Sequence, residues 1–421
     1  MARAEEVHLN RAAIFSEQLA DPASARAELE RATALNPGFA LAWRNLGQLH
    51  EDEGRAGEAR AAYLRALELE PGNGHDLARI AGLDIVEGQA AAAADALARH
   101  LAVPGLAPAD EAELLFALGA AQDALGAHAA AFAALARGNA LVRQQIPPAL
   151  RYDRRRHDAL IDALIAMPPL PGLAQPAPHQ SDPASPCPVF IFGLFRSGST
   201  LAEQLLARHP AIASAGEMET IPAFVHQHLQ PYPDRLAQAD PALLARLRDD
   251  YLAELRQIGG GARFVCDKRC DNFLHLALLR TLFPEAVFIH TRRDRRDNML
   301  SIFSLRFDDS IAYGWDLGDI RHWIDGHDRL MAHWHDRFGD TVLTLDYDAL
   351  VQDPRAVMGD VIARMGLGWD EACLTTSGID APVRTASAWQ VRRPLHSRSS
   401  GRWRDYAAML APAIDGLGDR P

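Results

Sequence analysis

The dipeptide Pro37-Gly38 returns as Pro71-Gly72, 34 residues further on. Ala25 and Ala59, Ala32 and Ala66, and Gly54 and Gly88 keep the same interval. A fixed period of this length marks one supersecondary unit copied along the chain, and such a unit cannot bury its apolar face alone. The first third of the 421 residues therefore has to stack on itself. Within one unit, "WRNLGQLH" (43–50) and "EARAAYLRALELEP" (58–71) space apolar and small residues for two helices. Alanines fall where paired helices cross, and the closing proline stops the second helix.

The pattern of Trp43, Leu46-Gly47, Ala59, Tyr63, Ala66 and Pro71 resembles the tetratricopeptide repeat. Another unit recurs around Leu118-Gly119, offset by about four residues where "VPGLAP" interrupts the period. The resemblance implies about four units across residues 5–140, in an all-α solenoid domain assigned to residues 1–150. Solenoids of this kind present a concave face to a peptide or protein partner; a dimerisation or packing module is the alternative reading.

Residues 151–167 read as a helix with polar and basic positions, and 168–188 are proline-rich and without periodicity. Residues 151–187 are thus expected to be a helix and a linker. Beyond them the pattern changes. "PVFIFGL", "ARFVCD", "AVFIHT" and "TVLTLDY" read as strands separated by amphipathic helices. That alternation predicts an α/β domain over residues 188–421, a doubly wound parallel sheet with its ligand at the strand carboxyl ends.

The net charge of −12 argues against a general nucleic-acid binder while allowing a local basic pocket. Cys187, Cys266, Cys270 and Cys373 are too sparse for a disulfide framework, and their spacing does not suit zinc. The first residues have no apolar core of a secretory signal, and no apolar run approaches a membrane span. A soluble protein of cytoplasmic type is expected.

"VFIFGLFRSGSTL" places a buried strand, Gly193, then Arg196-Ser197-Gly198-Ser199-Thr200, then a helix. The frame is that of a phosphate loop, whose backbone N–H groups and helix N-terminus surround an anion. Ser199 stands where that motif has its lysine. A nucleoside-triphosphate enzyme needs the lysine against its terminal phosphates, so a P-loop kinase or NTPase is the weaker reading.

The stretch "FGLFRSGSTLAEQLLARHP" resembles the 5′-phosphosulfate loop of sulfotransferases, and "FIHTRRDRRDNMLSIF" supplies Arg293 and Ser301 at the spacing of the family's 3′-phosphate element. The C-terminal "TASAWQVRRPLHSRSSGRWRDY" is similar to the closing segment of bacterial and, more distantly, tyrosylprotein sulfotransferases. The resemblance spans residues 187–410 and implies 3′-phosphoadenosine 5′-phosphosulfate as donor, adenosine 3′,5′-bisphosphate as product, and no required metal. It implies donor contacts from Arg196, Ser197, Gly198, Ser199, Thr200, Arg293 and Ser301, with Arg398 and Arg402 on the 3′-phosphate side and Ser397 near it. Ser387 matches a serine assisting the 5′ side. Phe195 and Arg295 replace two prolines that the family often carries.

Lys268 is the sole lysine in a chain with 43 basic residues. It follows the strand "ARFVCD" in a segment like the family's Asp-Lys element, whose lysine meets the sulfuryl group. A compact ammonium follows charge moving between two oxygens better than a planar guanidinium does. Glu217 is taken as the general base, and Glu219 is the alternative if one residue is inserted. His209 and His226 are less favoured bases. The acceptor is a hydroxyl, with peptidyl tyrosine, carbohydrate and small molecule all open, as is the oligomeric state, a homodimer included. A scaffold that has lost activity is the non-enzymatic alternative.

Overall fold

The computed structural model describes residues 3–17, 21–168, 170, 185–307, 311–375 and 397–416. The 34-residue period resolves into four helix pairs. They are α1 (Ala4–Glu17) with α2 (Pro22–Leu35), α3 (Ala40–Asp52) with α4 (Ala56–Leu69), α5 (Gly74–Val86) with α6 (Ala90–Leu101), and α7 (Pro108–Ala124) with α8 (His128–Gln145). The recurring alanines Ala25, Ala32, Ala59 and Ala66 are wholly buried, which lets paired helices approach closely. Asp21 and Asn73 cap α2 and α5 by accepting the backbone N–H of the third residue of each helix, Ser24 and Asp76. Successive pairs are stitched by Arg26–Glu53, Arg44–Asp76 and Arg60–Asp84, at 2.6, 2.8 and 2.6 Å.

The second domain is built on a five-stranded parallel sheet in the order β2-β3-β1-β4-β5. Its strands are β1 (Cys187–Gly193), β2 (Ile212–Ser214), β3 (Phe264–Asp267), β4 (Val287–Arg292) and β5 (Val342–Asp346). The doubly wound α/β fold read from the alternating pattern is the one observed. β2 is a strand that the pattern does not reveal, because three residues are too few to show alternation. The helices that accompany the strands are α9 (Arg154–Ala166), before β1; α10 (Ser199–Leu206), α11 (Thr220–His228), α12 (Pro241–Gly259), α13 (Leu276–Leu282), α14 (Arg295–Phe303) and α15 (Leu317–Phe338), between strands; and α16 (Tyr347–Gln352) and α17 (Pro354–Arg364), after β5.

Every residue of β1 is buried, as expected for a central parallel strand covered on both faces. Phe190 and Phe192 point into a core with Tyr251, Phe273, Phe283, Phe288 and Trp334. Val189 and Ile191 point the other way, onto Leu205, Leu206, Val361 and Ile362. α9 is not a free spacer. Its Ile161 and Leu164 enter the first of these cores, and His157 stacks on Trp323 of α15 with ring centroids 4.4 Å apart.

The last helix pair of the array shares a core with the second domain. Phe116 and Leu135 from α7 and α8 join Met299, Ile302, Trp315, Tyr406 and Leu410. Asn139 Nδ2 donates to the Phe303 carbonyl at 2.9 Å, and Arg143 pairs with Asp316 at 2.8 Å. The solenoid therefore forms one wall of the domain it precedes. No helix among the described residues is long and apolar enough to cross a membrane.

Candidate active site

Three turns leave the carboxyl ends of β1, β3 and β4, which are neighbours in the sheet. The first is Leu194–Gly198, feeding α10. Arg196 adopts φ 69°, the single positive φ of a non-glycine residue among those described. A left-handed residue with a Cβ costs about 1–2 kcal/mol, so neighbouring contacts must hold it there. Arg293 Nη1 donates to the Arg196 carbonyl at 3.1 Å, and Arg196 Nε donates to Ser301 Oγ at 3.0 Å. The Arg196 side chain is buried. That burial, together with the charge of Arg293, pulls its guanidinium down to about 10.

Gly198 is the N-cap of α10 at φ 99°, and a Cβ there would lie 2.4 Å from Tyr347 Cδ2. Only glycine meets both demands. Ser197 Oγ is 2.7 Å from Thr291 Oγ1, and Ser199 Oγ is 3.3 Å from Cys270 Sγ. Thr200 is buried in the first turn of α10. Together these residues lock the turn and leave the helix N-terminus as its electropositive feature.

The second turn carries Lys268, which is 1% exposed. Its backbone N–H donates to the Gly216 carbonyl at 2.7 Å, and its Nζ is ion-paired with Glu217 Oε1. Burial works against the ammonium, but Cys270, Glu217 and Glu203 outweigh it and lift Lys268 above its ordinary value. It therefore stays charged at neutral pH. Burial pushes the Glu203 carboxyl up, and Lys268 partly restrains it. Asp267 is pushed up to about 7 by burial. It accepts from Tyr251 Oη at 2.8 Å and from Met218 N at 3.4 Å, and so holds the backbone beside Glu217. Glu219 instead faces solvent and pairs with Arg269 at 2.6 Å.

The third turn follows β4. Arg293 lies over the Tyr347 ring at 4.9 Å and donates through Nη2 to the Ser399 carbonyl, while its buried Nε has no hydrogen-bond partner among the described residues. Tethers hold the chain at Phe195, Asp294 and Arg295. Asn298 Nδ2 donates to the Phe195 carbonyl at 2.7 Å, Asp294 N donates to Asp348 at 3.1 Å, and Arg295 pairs with Asp328 at 2.7 Å.

Arg196, Ser197, Gly198, Arg293 and Lys268 thus stand on the three turns, with Ser199 and Thr200 opening α10, Ser301 reaching Arg196 from α14 and Glu217 reaching Lys268 from the segment after β2. Ser387 lies outside the described residues. Arg398 is exposed in a short turn. Arg402, expected at a phosphate, is paired with Asp123 of α7 at 2.7 Å. His209 takes no part: its Nδ1 accepts from Ala211 N and its Nε2 meets the Gly368 carbonyl at 3.0 Å. The stretch 345–354 supplies Tyr347 and Asp348 to the site. Glu203 is also unanticipated. Its signal is a lone acid on a buried helix face, five residues after Gly198.

A parallel sheet whose central strand ends in a glycine-containing loop, flanked by two arginines and a buried lysine, is a P-loop-like α/β arrangement. Residues 188–371 match the sulfotransferase family and residues 17–74 the tetratricopeptide repeat. The chain joins a stretch similar to tetratricopeptide repeats to a domain similar to the sulfotransferase family. An uncharacterised protein of Aquifex aeolicus is 29% identical over 298 residues, 68% of this chain and 38% of that protein. The chain thus spans well under half of that relative. Protein-tyrosine sulfotransferase 1 of Danio rerio is 25% identical, with 55% of this chain and 72% of the relative covered. The sulfotransferase domain of the Synechococcus olefin synthase superposes with a TM-score of 0.42 at 24% identity, covering 58% of this chain and 99% of that domain.

Proposed function

We propose that this protein transfers a sulfuryl group from 3′-phosphoadenosine 5′-phosphosulfate to a hydroxyl acceptor. The observation that carries the reading is Lys268. The one lysine of the chain is buried at the end of β3, paired with Glu217, beside the anion loop. The Arg196 turn and the α10 N-terminus suit the 5′ end of the donor, and Arg293 with Ser301 suits its 3′-phosphate. The partnerless Nε of Arg293 is consistent with an anion there.

In the transfer, the acceptor oxygen forms a bond to sulfur as the sulfur–oxygen bond to the 5′-phosphate breaks. The acceptor proton goes to Glu217. The charge gathering on the leaving phosphate is met by Lys268 and Arg196, groups already oriented before reaction. The protein-tyrosine sulfotransferases among the relatives favour a peptidyl tyrosine acceptor. The repeat array favours a protein or peptide partner.

Thermal denaturation tests the donor site. Saturating adenosine 3′,5′-bisphosphate is expected to raise the melting temperature by several degrees, since a ligand at ~100 times its Kd adds about 2.7 kcal/mol. ATP with magnesium is expected to add less; a larger shift with ATP–magnesium would return the kinase reading. Transfer from labelled donor into tyrosine peptides then tests the reaction itself.

The two glutamates separate cleanly. Glu217→Gln is expected to lower turnover ~10²–10⁴-fold, the usual contribution of a positioned base. Glu219→Gln is expected to stay within about threefold, because its carboxylate is exposed and tied to Arg269. Equal losses in the two variants would remove the assignment of Glu217.

A further inference from the structure

The strap of residues 399–406 ties the donor turns to the repeat array. At its inner end the Ser399 carbonyl accepts from Arg293, Ser400 Oγ donates to Asp348 at 2.6 Å, and Gly401 N and Trp403 N donate to the two oxygens of Asp297 at 2.5 and 2.7 Å. The Arg296 guanidinium covers the Trp403 ring at 3.8 Å. Asp348 also holds Asp294 N, so the strap and the turn after β4 share one anchor. At its outer end, one carboxylate of α7 holds two strap residues. Asp123 Oδ1 accepts from Tyr406 Oη at 2.5 Å and pairs with Arg402 Nη2 at 2.7 Å. His128 of α8 closes on the Tyr406 ring, with centroids 5.1 Å apart.

We infer that Asp123, a residue of the repeat array, is a positioning residue for the donor site, acting through Arg402 and Tyr406 to hold the strap against Arg293. The inference rests on the donor reading given above. Arg402 lies close enough to Arg196 for its charge to help pull that guanidinium down. Asp123 therefore both fixes the strap and offsets a positive charge beside the anion loop. The last repeat becomes part of the nucleotide site, and whatever settles on the array acts on a wall that the donor also uses.

The test uses the full chain and four variants: Asp123→Asn, Arg402→Gln, the double variant, and Arg143→Gln. The last breaks an interdomain ion pair that does not touch the strap. Asp123→Asn is expected to weaken adenosine 3′,5′-bisphosphate binding ~5–20-fold by calorimetry, on the order of a single hydrogen bond. The donor KM should rise in step while kcat stays within about twofold. The double variant should be no weaker than the worse single variant, because the two residues act as one contact. Arg143→Gln should bind as the unaltered chain does.

Unchanged or tighter binding in Asp123→Asn would overturn the inference; tighter binding would show the carboxylate competing with nucleotide for Arg402. Equal weakening by Arg143→Gln would overturn it too, reducing the effect to general loosening of the interface. Amide hydrogen exchange in the nucleotide-free chain reads the strap independently of any donor. Residues 401–406 should exchange ~10-fold faster in Asp123→Asn, and unchanged exchange would sink the inference even if the donor is a different nucleotide. Failure of the unaltered chain to bind bisphosphate, with faster strap exchange in the variant, would instead overturn the donor assignment alone.

Discussion

Lys268→Met is expected to lower the single-turnover rate of sulfuryl transfer ~10²–10³-fold, the cost of losing one preorganised donor at a site of developing charge. The fold should tolerate the change. Methionine fits a slot that is 1% exposed, and Glu217, whose side chain is 39% exposed, recovers hydration when its partner goes. Glu203 loses the charge that restrains it and moves further toward its neutral form, which avoids leaving a buried anion. Lys268→Arg is expected to be nearly as slow. The guanidinium is bulkier than the buried slot allows, an overpacking of about 1–3 kcal/mol, and its planar fork prefers a fixed anion to a moving one. Rapid-quench measurement with labelled donor reads both variants. A Lys268→Met rate within about threefold of the unaltered enzyme would reduce the lysine to a packing role.

The elements that sequence makes legible here are those with a strong local signal. The 34-residue period announces the helix pairs, and the apolar runs around Phe190 and Phe288 announce central strands. The Arg196 loop is legible because its turn has a short-range pattern, and Arg293 with Ser301 through the family resemblance that their spacing carries. What stays hidden depends on long-range packing. Asp297 and Asp348 look like ordinary helix-start acids, and only folding shows that they receive the backbone of 401–403 and the Ser400 hydroxyl. The family resemblance points Arg402 at a phosphate, but its ion pair with Asp123 is invisible in sequence because Asp123 lies on a helix of the other domain. β2 escapes for a different reason: three residues carry no period, and their strand character comes from pairing with β3.

Gly198→Ala is expected to abolish stabilisation by adenosine 3′,5′-bisphosphate and to lower the melting temperature of the unliganded protein. Two costs add at this position. A Cβ at φ 99° is strained by about 1–2 kcal/mol, and it would stand 2.4 Å from a ring carbon of Tyr347 that must then move. Tyr347 supports Arg293 from below, and Arg293 holds the carbonyl of Arg196. Displacing the ring therefore disturbs both arginines at once, the one suited to each end of the donor. Gly260→Ala separates the two costs. Gly260 is also left-handed, at φ 56°, but a Cβ there meets nothing within 4 Å. That variant should lose stability by backbone strain alone and keep its full response to bisphosphate. If Gly198→Ala responds to the nucleotide as Gly260→Ala does, the Tyr347–Arg293–Arg196 linkage does not shape the donor cradle, and the two arginines bind independently of the loop glycine.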